Sequence, residues 1–149
     1  MVTAVARADF PTIDPASAPY WDAAREGRLL IAECASCGRV HHYPRPFCPF
    51  CWSEDVHAVP ASGTGTLYTY STVYVNDLTP FKERLPYVAA IVELDEGPRL
   101  MTTIEGAERQ RLRVDMPVTA VFRPVDENDP DSPYLTIFTP SFTPHEESP

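Results

Sequence analysis

Four cysteines confined to a short stretch constrain this chain more than any other feature. They fall as Cys34-Ala35-Ser36-Cys37 and Cys48-Pro49-Phe50-Cys51, with ten residues between the pairs. Two C-x-x-C pairs place four thiolates at the corners of a tetrahedron, the geometry that a structural zinc prefers. The spacer is short but allows a tight hairpin to carry one pair back onto the other. Gly38, just after the first pair, can adopt φ > 0 and turn backbone N–H groups toward sulfur. Trp52 follows the second pair, and its bulk predicts a less regular knuckle there.

Other uses of these cysteines fit less well. Two disulfides need an oxidising compartment. Residues 1–10 contain one arginine and no apolar run of signal length, so the expected compartment is the cytoplasm. A thioredoxin-like redox role uses one C-x-x-C within a βαβ pattern, not two pairs flanking a Pro-rich hairpin. Four-thiolate sites also take iron, and sequence does not separate iron from zinc. Structural Zn2+ is the expected occupant. A closed shell of four thiolates has no open position for substrate, so the metal should hold together a segment too small to bury its own core.

The chain has 149 residues, 44% of them hydrophobic, which suits one domain or a small domain with an appendage. Its 17 prolines are about twice the average share and favour short strands and turns over long helices. The net charge is −9, so the chain is a poor default binder of nucleic acid, which needs Lys and Arg for the phosphates. Eleven of the twelve cations are arginine and the other is Lys82. No stretch approaches the roughly 20 apolar residues of a membrane span.

Read along its length, the chain is expected to be mainly β: a short N-terminal helix, a rubredoxin-like zinc ribbon, then a five-stranded OB-fold barrel. The first segment, residues 1–27, opens loosely and then forms a helix over about 17–26. Asp14-Pro15 and Ser17-Ala18-Pro19 read as starts and Gly27 as the stop. Tyr20, Trp21 and Ala24 share one helix face, which packs either on the chain's own core or on a partner. The ribbon segment, 28–60, has strands at 29–33, 40–43 and 56–59, with Pro44-Arg45-Pro46 stiffening the return. The Pro/Ser/Gly cluster at 60–65 is the best boundary. The barrel segment, 61–140, has strands at 66–75, 87–94, 99–104, 118–122 and 134–139. In the first of these, Leu67, Thr69, Ser71 and Val73 are expected on one face and Tyr68, Tyr70, Thr72 and Tyr74 on the other. The second is expected to be buried on both faces. Residues 141–149 are expected to form a flexible tail. Five strands with a longer connection after the third suit a closed OB barrel.

This order of features resembles the acyl-CoA-associated family that joins a rubredoxin-like zinc ribbon to an OB-fold. The resemblance covers roughly residues 19–123. It runs through Pro19-Tyr20-Trp21, Glu26-Gly27-Arg28-Leu29, the first cysteine pair with Gly38-Arg39, and Tyr43-Pro44-Arg45-Pro46 before Cys48-Pro49. It continues through Gly63-Thr64-Gly65-Thr66, Pro86-Tyr87-Val88-Ala89, Glu93-Leu94-Asp95-Glu96-Gly97-Pro98-Arg99-Leu100 and Met116-Pro117-Val118. Trp52 stands where the family commonly has Gly. The resemblance implies an auxiliary subunit in a hetero-oligomer with a thiolase-like enzyme, a thiolase or a steroid side-chain aldolase, where it helps form the acyl-CoA site or channel.

The residue inventory points the same way. Thiolase chemistry needs a free cysteine nucleophile, and all four cysteines are claimed by the metal. There is no G-x-S-x-G elbow and no Gly-rich phosphate loop. His41 and His42, adjacent in a strand, point to opposite faces and cannot serve one site together; each is expected at the surface or behind another residue. His57 and His145 have no recognisable partners. Arg39 and Arg45 are candidates for a CoA phosphate, against the plainer reading that they offset thiolate charge. The loop at 76–85 carries Phe81, Lys82 and Arg84, an aromatic group beside two cations that suits adenine and phosphate. Tyr20 and Trp21 are the candidate partner contacts. A nucleic-acid-binding ribbon and OB module is the alternative. Tyr68, Tyr70 and Tyr74 would be its stacking platforms, but the barrel half lacks a dense basic stripe.

Overall fold

The computed structural model describes residues 7–141. The expectation of a flexible tail concerns 141–149, of which 142–149 lie outside the described residues.

Helix α1 (Ala18–Arg25) opens the regular structure. Of the two expected starts, Ser17 stands at the N-cap position but its side chain caps no helix N–H. Asp14 caps the turn before the helix, its Oδ1 accepting the Ser17 N–H at 2.8 Å, while Ser17 Oγ turns back to the Asp14 N–H at 3.0 Å. The exit is a Schellman turn: the N–H groups of Gly27 and Arg28 donate to the carbonyls of Ala24 and Ala23. Tyr20, Ala23 and Ala24 form the buried stripe.

A three-stranded antiparallel sheet follows, ordered β2-β1-β3, with β1 Leu30–Cys34, β2 Val40–His41 and β3 Val56–Pro60. The outward arm β2 is only two residues long, shorter than the expected 40–43. Beyond it, Pro44 and Pro46 lack the N–H groups that a longer ladder would need. Central β1 pairs Ala32 with His41 on one side and with Ala58 on the other.

The second half is a closed barrel with strand order β4-β5-β6-β8-β7. Its strands are β4 Thr64–Val73, β5 Tyr87–Leu94, β6 Arg99–Ile104, β7 Pro117–Pro124 and β8 Tyr134–Pro140. Neighbouring strands are antiparallel except β6 and β8, which run parallel through Ile104 and Phe138. That crossover is the Greek-key closure of an OB barrel, and it removes the sheet's free edges. Phe138, Leu67, Val92, Leu94 and Val118 fill the interior and are fully buried. Each such side chain contributes about 1.5–3 kcal/mol relative to exposure.

Two strand expectations are corrected. The alternation along β4 breaks because the register slips between Leu67 and Thr69. This bulge turns Tyr70 to the inner side along with Leu67, and its hydroxyl donates to the Leu112 carbonyl at 2.8 Å. Strand β5 is not buried on both faces. Val88, Ala90, Val92 and Leu94 point inward, while Tyr87, Ala89, Ile91 and Glu93 are half-buried. At Gly65 the strands approach so closely that a Cβ would sit 2.3 Å from the Glu93 carbonyl oxygen.

The start of the described chain is tied down, against the expected loose opening. Ala8 N–H donates to the Thr79 carbonyl at 3.0 Å, and Arg7 reaches the Val125 carbonyl at 2.6 Å and Asp126 at 3.0 Å. Helix α1 joins the two halves. Tyr20 packs in one continuous core with Leu29 and Ile31 of the ribbon side and Leu67 and Phe138 of the barrel. Its hydroxyl lies 3.2 Å from Thr136 Oγ1 of β8, and Arg25 donates to the Ser132 carbonyl at 2.9 Å. No helix among the described residues is long and apolar enough to cross a membrane.

A candidate four-sulfur metal centre and its surroundings

The first cysteine pair sits where β1 ends and the second lies on the returning loop. In the first knuckle, Gly38 N–H donates to the Cys34 carbonyl at 2.8 Å. In the second, Trp52 N–H donates to the Cys48 carbonyl at 3.0 Å. Gly38 has φ 73° and Trp52 has φ 66°. The irregular second knuckle expected at Trp52 is therefore absent, because the tryptophan adopts the glycine-like conformation itself. That costs about 1–2 kcal/mol for a residue with a Cβ. A stacking contact with Phe47, at 5.3 Å between centroids and 19° between planes, offsets part of it.

The four sulfurs lie within 4.8 Å of one another. Cys34 and Cys51 are separated by 3.5 Å and Cys37 and Cys48 by 3.7 Å, and all four thiols are free. A disulfide would require about 2.05 Å. A tetrahedral ion with metal–sulfur bonds of about 2.3 Å sets sulfurs about 3.8 Å apart, so the cluster fits a metal ion directly. Cys34 and Cys48 are buried and Cys37 and Cys51 face outward.

The thiols also compete for charge. The Cys37 N–H leads the hydrogen bonds that bring Cys34 down to about 6 against the effect of burial. At Cys51 the Ser53 N–H pulls down, but burial and the three neighbouring sulfurs outweigh it and hold the thiol at about 12. Four sulfurs this close do not all release their protons unaided. A bound cation supplies the missing positive charge.

The histidines are placed differently from expectation. His41 is 4% exposed, not a surface residue, and neither ring nitrogen has a partner among the described residues. His42 lies 3.5 Å from the Tyr20 hydroxyl, and burial, followed by the nearby His41, lowers it to about 4. Burial keeps both histidines neutral, and His42 packs edge-on in an aromatic cluster with Tyr20 and Tyr43. His57 pairs with Asp55 at 2.6 Å on the exposed surface. His145 lies outside the described residues.

The candidate ligand residues fall into two groups that no hydrogen bond, ion pair or ring contact joins among the described residues. On the ribbon, the Arg39 guanidinium sits 4.7 Å over the Phe50 ring, and Arg45 lines a groove beside Pro19 and Tyr20. On the barrel loop, Phe81–Arg84 form one turn of 3-10 helix. Arg84 is committed to Asp9 at 3.2 Å and lies 5.9 Å from the Phe81 ring centre. Asp9 in turn bonds Arg7 at 3.0 Å, and its carboxylate is nearly inaccessible. Lys82 is exposed and carries no ion pair among the described residues. Of the two partner-contact candidates, Tyr20 is 6% exposed and occupied within its own chain. Trp21 is half-buried, its indole donating to the Tyr43 hydroxyl at 2.8 Å.

The three barrel tyrosines do not form a stacking row. Tyr70 is turned inward, Tyr68 is covered by Arg99 at 3.8 Å, and Tyr74 accepts a hydrogen bond from Arg109 at 2.5 Å.

Comparison with known proteins agrees with this architecture. Residues 21–57 match the family model described as the ChsH2 rubredoxin-like zinc ribbon domain, and residues 58–123 match that of the ChsH2 C-terminal OB-fold domain. The chain is 38% identical over 138 residues to a probable enoyl-CoA hydratase alpha subunit of Thermomonospora curvata, covering 93% of this chain but only 41% of that protein's length. It is 30% identical over 103 residues to the benzoylsuccinyl-CoA thiolase subunit BbsA of Geobacter metallireducens, covering 69% of this chain and 67% of that one. Among solved structures it resembles a chain of the Ltp2-ChsH2(DUF35) aldolase, with TM-score 0.74 and 38% identity over 87% of this chain and 98% of that one. The chain thus belongs to the ChsH2 (DUF35) family, a rubredoxin-like ribbon joined to an OB-fold.

Proposed function

We propose that this chain is a non-catalytic auxiliary subunit that binds a thiolase-like catalytic protein, a thiolase or an aldolase, and helps form its acyl-CoA site or channel. The ion in the four-cysteine cluster is zinc, held for structure. The single observation that carries the reading is the convergence of all four cysteines on one cluster. A closed S4 shell suits zinc, offers no open coordination position, and uses every thiol that could act as a nucleophile. Relatives named as subunits of a thiolase and of an aldolase assembly support the choice of partner. The first is named for a CoA ester, so the chemistry served is that of acyl-CoA, and its compartment is the cytoplasm.

Within that assembly, CoA contact falls to the barrel loop. Phe81 offers a ring and Lys82 an uncommitted ammonium, while Arg84 is held by Asp9 and serves to fix the loop. The test is co-expression with a thiolase-like protein of the same organism, beginning with any that is encoded beside its gene. The two chains should co-elute as one complex, and acyl-CoA turnover should need both. Turnover of an acyl-CoA by this chain alone at a comparable rate would refute the reading, as would failure of the two chains to associate.

A further inference from the structure

A groove runs between the start of α1 and the sheet face of the ribbon. Pro19 and Tyr20 form one wall, Leu30, Ala32 and Ala58 the floor, and Arg45 the rim, enclosing a cavity of about 170 Å³. Three observations bear on its occupant. The first is size. Sites for cofactors and drug-sized ligands run to about 300–1,000 Å³, so a whole CoA ester does not fit. A dry cavity of about 150 Å³ holds one benzene ring, so this groove suits a single aromatic or branched aliphatic group.

The second observation is charge. Arg45 is exposed, has no carboxylate partner among the described residues, and is the one charged side chain of the lining. It acts on buried His41 with like sign. Since the chain carries a net charge of −9, leaving a cation unpaired beside an apolar floor marks it for a carboxylate from elsewhere. The third is the unpartnered burial of His41. It pairs in register with Ala32 of the groove floor, and both of its ring nitrogens lack hydrogen bonds. This side of the ribbon is thus unfinished in both charge and hydrogen bonding.

We propose that the groove is the anchor pocket for the catalytic partner: it takes one apolar or aromatic side chain of that protein, with an adjacent carboxylate meeting Arg45. This rests on the auxiliary-subunit reading above and names the surface by which it operates. The arrangement is that of an interface hot spot, in which a side chain fills a desolvated pocket beside a charge-assisted hydrogen bond.

The test measures association of the full chain with its thiolase-like partner by calorimetry. Ala58→Trp fills the groove from an exposed strand position, and Arg45→Glu reverses the rim charge at an exposed residue. Each should weaken association by about tenfold or more, a loss of about 1.4 kcal/mol or more. Arg45→Lys should retain most of the affinity, and Met101→Trp, at a position 81% exposed on the barrel, should retain all of it. Circular dichroism and metal content confirm folding of each variant, and Arg45→Glu stands alone if Ala58→Trp does not fold. If the wild type associates and both groove variants associate equally well, the anchor pocket is refuted while the auxiliary reading survives. If the wild type does not associate, both fall. Saturable binding of benzoate by the free chain, without effect on association, would show a small-molecule site instead and overturn the proposal.

Discussion

His42 offers a quantitative check on how the ribbon is joined to the helix. Its imidazole is enclosed with Tyr20 and Tyr43, and burial, assisted by His41, depresses it to about 4 from an ordinary 6.5. The folded chain therefore binds this proton less readily than the unfolded chain. The sign follows: stability from neutral His42 is fully present above pH 6.5 and is lost as pH falls toward 4. A displacement of this size is worth roughly 3 kcal/mol over the whole window, and about 2 kcal/mol between pH 7 and pH 4.5. Against a typical total of about 5–15 kcal/mol, that loss is easily measured. The perturbation is His42→Phe, which preserves an aromatic ring and removes the titration. The assay is urea unfolding at half-unit steps from pH 7 to pH 4.5, with metal content recorded at each step. Metal release and carboxylate protonation act on both proteins alike, so the difference between the two curves isolates His42. Wild type should lose about 2 kcal/mol more than the variant across this range. Parallel curves would refute the claim that a buried neutral imidazole is built into this junction.

Two further outcomes are expected. Cys34→Ala, or removal of the ion by a strong chelator, should unfold the ribbon and leave the barrel's β signal in place; elemental analysis of the wild type should give close to one zinc per chain, and loss of zinc with the ribbon intact would count against a structural centre. Gly65→Ala drives a Cβ to within 2.3 Å of the Glu93 carbonyl oxygen, so it should separate β4 from β5 at that point and lower stability by more than about 2 kcal/mol in thermal unfolding.

The cysteine cluster was legible in the sequence because four ligands at fixed short spacings leave few geometries open. The barrel was legible from five β-rich runs and the turns between them. What escaped was set by contacts distant in sequence. The bulge between Leu67 and Thr69 turns Tyr70 to the face of Leu67 and away from that of Tyr68, and nothing within the run of β4 announces it. The regular second knuckle could not be read from Trp52, since its conformation is supported by Phe47 across the loop. Arg84 read as a free cation because its carboxylate partner, Asp9, lies in a segment without sequence pattern. The groove was missed because its walls come from α1, β1, β3 and the Pro44-Arg45 turn, which only the fold assembles. A weak signal for it existed: Pro19, Tyr20, Pro44 and Arg45 all stand within the motifs that carry the family resemblance.

Helix α1 touches ribbon and barrel at once: Tyr20 packs with Leu29 and Ile31 on the ribbon side, while Tyr20 and Arg25 bond Thr136 and Ser132 on the barrel side. The angle between the knuckle tips and the barrel mouth is thereby fixed before any encounter. A protein that meets both surfaces is spared the entropy of freezing a hinge, so binding strength gained at one surface is not spent in orienting the other. In the auxiliary role proposed above, such a build works as a set square: its rigidity, more than the chemistry of any one side chain, decides where its neighbour comes to rest.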